Sequence, residues 1–210
     1  MPFTPQPERE RLAEAIRELI DHVVDSEAPP EVLSQAAAEV ARLAEFLGPH
    51  PRRGPKTPHL PDLGDLQRTF WRDPVIGKSN PIAAPVDIEI TEDRTVVGRA
   101  NLGLGYEGPP GYAHGAVIAG IFDQILGLAN LASGNVGMTG TLTIKYLKPT
   151  PLQTDIVFGG KADKVEGRKI FVTGTLDAGD ERTAEAKGTF INLAQPRAAE
   201  YFESRRKASG

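Results

Sequence analysis

The chain has 210 residues, a formal net charge of −4 and an isoelectric point near 5.6. That balance excludes the global basic footprint of a nucleic-acid-binding protein, and the absence of cysteine excludes disulfides, thiol nucleophiles and thiolate metal sites. The four histidines, His22, His50, His59 and His114, fall in no metal-ligand spacing, so no metal site is expected.

The length allows one ordinary domain with an extension. Residues 7–47 read as two helices, with Leu12, Ile16, Leu19, Ile20 and Val23 at helical spacing in the first. Val32, Leu33, Ala36, Val40, Leu43 and Leu47 repeat the pattern after Pro29-Pro30, and Ser26 stands where it can cap the intervening turn. Up to residue 48 there are ten acidic residues against four arginines, the reverse of a DNA-binding head. An acidic pair packed on its own core or on a partner subunit is expected, with His22 as a surface or packing residue. From Gly48 to Gly64, five prolines between Pro49 and Pro61, with Arg52, Arg53 and Lys56 among them, predict an extended, solvated linker. Residues 1–64 thus form an extension.

Leu66 to Trp71 reads as a helical turn that packs Phe70 and Trp71 on the core, followed by coil punctuated at Asp73-Pro74, Asn80-Pro81 and Ala84-Pro85. Strands are expected at Val86–Ile90 and Thr95–Leu102, a hairpin around Glu92-Asp93-Arg94. Four more are expected at Met138–Lys148, Thr154–Val165, Lys169–Asp177 and Thr183–Leu193. Leu142, Ile144 and Tyr146 alternate with Thr141, Thr143 and Lys145, the period of a half-buried strand. One apolar helix among six short strands predicts an α+β domain over residues 65–196, an antiparallel sheet curled around that helix. Residues 197–210, with Arg205-Arg206-Lys207, read as a flexible basic tail.

The helix itself follows a rigid turn, Gly108-Pro109-Pro110-Gly111, and His114. From Gly115 to Ala132 the run is apolar on every side except at Asp123, Gln124 and Asn130, with Gly134 as a stop. A helix hydrophobic all round is a buried one. Its length approaches a membrane span, but Asp123, Gln124 and Asn130 interrupt it and no signal-peptide pattern precedes it. A cytoplasmic protein with no membrane span is expected.

Asp123 must be hydrogen-bonded, paired, protonated or facing a pocket, and a structural Asp bonded to backbone satisfies that as well as a functional one. The free N–H groups at Gly115 and Ala116 attract negative charge. From His114 to Asp123 is nine residues, roughly 13 Å of rise and half a turn. The two cannot meet on one small group within one chain; if both serve one site, they come from two copies about a two-fold axis, which predicts an obligate dimer with shared sites.

Three motifs, over about residues 80–194, resemble the hotdog-fold acyl-CoA thioesterases of the phenylacetate-degradation (PaaI-like) and 4-hydroxybenzoyl-CoA thioesterase branch. They are Glu107-Gly108-Pro109-Pro110-Gly111 leading into His114-Gly115-Ala116, Asp123 nine positions after that His, and Met138 to Tyr146 running into Leu147-Lys148-Pro149-Thr150-Pro151-Leu152. The resemblance implies hydrolysis of a fatty or aryl acyl-CoA without a cofactor, coenzyme A being part of the substrate. In that mechanism the Gly115 N–H stabilises the oxyanion, and Asp123 of the other subunit is general base or nucleophile. Thr139 then positions water or carboxylate, and His114 orients the loop or touches the thioester. Lys148, Arg168 and Lys169 are the cations for the phosphates of coenzyme A, and Phe122 lies near the apolar acyl tunnel. Where some relatives carry a polar helper six residues before the His, this chain has Gly108, so the helper is either missing or replaced by Glu107 or Asn101. A homodimer at least, rising to a tetramer or hexamer, is implied.

Two other classes share this fold. A non-catalytic acyl-CoA sensor with a DNA-binding head is disfavoured by the acidic head and has no need of a carboxylate at 123. A hydratase would carry a His where Asn80-Pro81 is followed by Ile82-Ala83.

Overall fold

The computed structural model describes residues 7–50, 63–64 and 66–192. Most of the proline-rich linker, with its three cations and His59, and the basic tail lie outside the described residues.

The N-terminal extension forms two helices, α1 (Pro7–Val24) and α2 (Pro30–Leu47), with Ser26 Oγ accepting the Ala28 N–H between them at 3.1 Å. Pro30 opens α2 at a position where its missing N–H costs nothing. The two helices differ in what they bury. α1 sinks Ala13 into the domain, donates from Arg17 to the Asn80 carbonyl (3.2 Å), and accepts the Gly105 N–H at Asp21 Oδ1 (2.8 Å). α2 buries no residue, so its stripe of Val32, Leu33, Val40, Leu43 and Leu47 stays exposed. Packing within the chain thus accounts for α1 alone, because periodicity marks an apolar face without saying what covers it. His22 is exposed near Glu18.

A short helix α3 (Leu66–Phe70) packs Phe70 on the core. Trp71 is half-buried and lies under the guanidinium groups of Arg9 and Arg72 instead. Six strands follow, β1 (Asp87–Ile90), β2 (Val96–Asn101), β3 (Gly137–Tyr146), β4 (Asp155–Glu166), β5 (Lys169–Ala178) and β6 (Glu181–Asn192), with the long helix α4 (Gly115–Ala132) between β2 and β3. They form one antiparallel sheet in the order β1-β2-β4-β5-β6-β3. The strand after the helix therefore crosses to the far edge, where its outer side has no partner strand among the described residues.

α4 packs against β2, β3, β4, β5 and β6, so the sheet curls around it as expected. Ile125 occupies the space that Cβ atoms at Gly98 and Gly160 would need, each of which would stand 2.7 Å from it. Two glycines on neighbouring strands thus let the helix seat deeply. Phe122 meets Phe158 edge to face, centroids 5.1 Å apart, which fixes the helix rotation. α4 is not buried all round, however. Ala116 is exposed and Asp123 and Gly127 are half-buried, because the strands cover one side of the helix and the described residues leave part of the other side open.

Candidate functional site

Two groups of polar residues sit along α4, one at its start and one near its middle. At its start, His114 has extended backbone (φ −66, ψ 132) and caps the helix, its Nδ1 accepting the Ala116 N–H at 3.0 Å. As an acceptor, Nδ1 leaves Nε2 to carry the ring proton. The preceding turn is tied down on every side. The His114 N–H reaches the Tyr106 carbonyl and the Ala113 N–H the Thr150 carbonyl, both at 2.9 Å. Glu107 Oε1 accepts the Gly111 N–H at 2.7 Å, so Glu107 serves the turn, while Asn101 donates to Asp155 Oδ1 at 2.9 Å on the sheet. A Cβ at Gly108 would lie 2.8 Å from His114 Cα. The glycine that stands in place of a polar helper is there because the backbone passes too close for any side chain.

The Gly115 N–H donates to no acceptor among the described residues, whereas the Gly115 carbonyl accepts the Tyr146 hydroxyl at 2.7 Å. Burial raises the Tyr146 phenol above its ordinary pKa, so it remains a donor through neutral pH. Sequence reasoning missed Tyr146 as a site residue. Its alternation pattern gave it a face of β3 but not its contact with the helix start.

Towards the middle of the helix, the half-buried Asp123 accepts a hydrogen bond from the Thr139 hydroxyl, Oγ1 to Oδ1 at 2.9 Å. The partner is a strand hydroxyl, not backbone. β3 carries a bulge at this point, since Thr139 opposes Phe190 while Thr141 opposes Thr189, and bulges re-aim side chains. Gln124 points elsewhere and donates to Asp73 Oδ2 at 3.0 Å, while Asp73 Oδ1 accepts the Val75 and Ile76 N–H groups. That contact pins the coil before β1 onto the helix.

The predicted cations do not converge within one chain. The Lys148 N–H bonds the Thr183 carbonyl at the start of β6, and its ammonium pairs with Glu181. Arg168 and Lys169 are exposed at the β4–β5 turn, where Lys169 opposes Ile191 at the end of β6. Eight residues of strand, about 26 Å, separate the two places. Lys148 shares its end of the sheet with His114, Gly115 and Tyr146, and Arg168 and Lys169 share theirs with Thr139. Among the described residues no cluster of three or more His, Asp or Glu could hold a metal ion. A cleft lined by Glu10, Phe70, Trp71 and Ile88 contains none of the predicted site residues.

A family model for the thioesterase superfamily matches residues 110–185. The crystal structure of a thioesterase superfamily protein superposes with a TM-score of 0.79 at 32% identity, over 90% of this chain and 97% of that one. The chain belongs to the thioesterase superfamily. The match to this thioesterase-superfamily structure extends beyond the sheet domain into the N-terminal helices, since the domain alone is too short to make up nine-tenths of the chain. Acyl-coenzyme A thioesterase THEM4 of Mus musculus is 43% identical over 93 residues, 43% of this chain and 40% of that protein. THEM4 of Xenopus laevis is 36% identical over 89 residues, 41% of this chain and 40% of that protein. The thioesterase-superfamily chain thus aligns with about two-fifths of the length of these relatives. Within it, the span 110–185 contains His114, Gly115, Asp123, Thr139, Lys148, Arg168 and Lys169.

Proposed function

We propose that the protein is an acyl-CoA thioesterase that hydrolyses a fatty or aryl acyl-CoA to the free acid and coenzyme A. The observation that carries the reading is a half-buried carboxylate oriented by a neutral hydroxyl, not neutralised by a cation. A carboxylate held this way has a fixed direction. In the proposed reaction, water adds to the thioester carbonyl as Asp123 takes its proton, or Asp123 adds first and water then opens the mixed anhydride. The oxyanion forms against the N–H of Gly115, which donates to no described residue, at the positive end of α4. Its collapse expels the thiolate. His114 and Tyr146 hold that helix start in place.

In this reading each site draws Gly115 from one subunit and Asp123 from the other. The same pairing puts Lys148 of one chain at the same end as Arg168 and Lys169 of its partner, a set of cations for the phosphates of coenzyme A. Support for a dimer comes from β3, a ten-residue edge strand whose outer side has no partner strand among the described residues, since such an edge is a ready surface for a second chain. The exposed stripe of α2 offers a further contact between copies in a tetramer or hexamer.

The test is thiol release from short, long and aromatic acyl-CoAs by wild type and Asp123→Asn. The proposal expects activity that falls at least about a hundredfold in a folded variant. Acyl-CoA binding without turnover by either protein would favour a sensor instead.

A further inference from the structure

Asn130 is a polar residue of α4 that the fold leaves without a partner. It is 0% exposed, and neither Oδ1 nor Nδ2 finds a hydrogen-bond partner among the described residues. An amide offers two donors and two acceptor sites, and buried ones are nearly always bonded. Gln124 and Asp123, on the same helix, both have partners.

Its position relates it to the carboxylate. Seven residues after Asp123 is just under two turns, so Asn130 lies on the same face of α4, roughly 10 Å further along the axis. Between them is Gly127, half-buried, where an added Cβ would meet only Phe190 Cε1, at 3.8 Å. Burial increases along this face, from exposed Ala116 through half-buried Asp123 and Gly127 to fully buried Asn130. Gly127 thus leaves only a hydrogen on this face between the carboxylate and the unpaired amide.

We infer that this face lines a groove for the acyl chain, with Asn130 as a specificity-determining residue at its closed end, and that Asn130 selects medium-length aliphatic acyl groups bearing a neutral hydroxyl or oxo group near the far end. This rests on the thioesterase reading above. The chemistry follows from the amide, which can donate to and accept from a hydroxyl and donate to an oxo group. An ionised acyl terminus meets no counter-charge there, and a plain alkyl terminus leaves the amide unpaired. The separation from Asp123 sets the length, since a single aromatic ring falls short of it.

The experiment compares kcat/KM for octanoyl-CoA and ω-hydroxyoctanoyl-CoA in wild type and Asn130→Leu. Wild type is expected to prefer the hydroxylated substrate, and the preference should fall about tenfold in the variant, the effect of one buried hydrogen bond. A purely structural Asn130 would change the melting temperature and leave the preference untouched, which would overturn the inference. Gly127→Leu provides a second route that keeps Asn130. It should lower octanoyl turnover far more than butanoyl turnover, and an equal loss on both would count against the groove. Calorimetric binding of octanoate and ω-hydroxyoctanoate to both Asn130 forms needs no turnover. A preference for the hydroxy acid that disappears in Asn130→Leu, in a protein that cleaves no acyl-CoA, would uphold the groove and sink the hydrolytic reading. Absence of any preference in wild type would sink the groove.

Discussion

Thr139 Oγ1 donates to Asp123 Oδ1 at 2.9 Å, so the hydroxyl of a bulged edge strand sets the direction of a carboxylate on the central helix. Thr139→Ala should lower kcat roughly tenfold to a hundredfold through misorientation, with little change in KM. Thr139→Ser, which keeps the hydroxyl, should stay near wild type. Steady-state kinetics on the two variants decides it, and equal activity in both would make the contact incidental.

Gly108 sits 2.8 Å, counted from a would-be Cβ, from His114 Cα. Gly108→Ala should push the turn away from the helix start and cost about 1–3 kcal/mol of stability, as overpacking does. Denaturant unfolding measures the loss. An unchanged midpoint would mean that the turn yields freely.

Tyr146 holds the Gly115 carbonyl from the next layer, and burial raises its phenol above the ordinary value. Tyr146→Phe should lower kcat/KM about tenfold by loosening the amide that faces the oxyanion. The sign of the pH dependence is fixed: a raised folded-state pKa means that the hydroxyl's contribution is complete below about pH 10 and is lost as pH rises through the folded value. The stability difference between wild type and Tyr146→Phe should therefore be flat through neutral pH and shrink only in strong alkali. A difference that already shrinks near pH 8 would contradict this.

The sequence made the domain legible because its signals were local. An eighteen-residue run between His114 and Gly134, apolar except at Asp123, Gln124 and Asn130, marked α4 with the bounds observed, and period-two alternation with turn residues located all six strands to within a few residues. Asp123 stood out because a carboxylate in an apolar run demands a reason. What stayed hidden was tertiary. Strand order follows from a crossover that no local pattern records, and Tyr146 and Thr139 acquire their partners only when β3 packs beside α4, with a bulge at Thr139. The Glu181 carboxylate beside Lys148 is 33 residues away in sequence. Asn130 looked like one more polar interruption until its lack of partners became visible.

The first helix braces the site from outside. Asp21 accepts the Gly105 N–H, and the neighbouring Tyr106 carbonyl accepts the His114 N–H. Asp21→Ala should cost about 1 kcal/mol and speed amide exchange at residues 105 and 106 while α4 stays protected. Unchanged exchange there would remove the link between the N-terminal extension and the helix start.

The central claim is one site assembled from two chains, and subunit mixing tests it most directly. Asp123→Asn removes the carboxylate. Gly115→Pro removes the amide at a first-turn position that suits proline, after a His114 whose extended backbone already fits a following proline. Each variant alone should be inactive against acyl-CoA. Unfolded together and refolded in equal amounts, they should recover about a quarter of wild-type activity, since half of randomly paired dimers are mixed and each of those has one intact site. A mixture as inactive as its parts, with mixed dimers shown to form, would mean that the carboxylate and the amide do not meet across the interface.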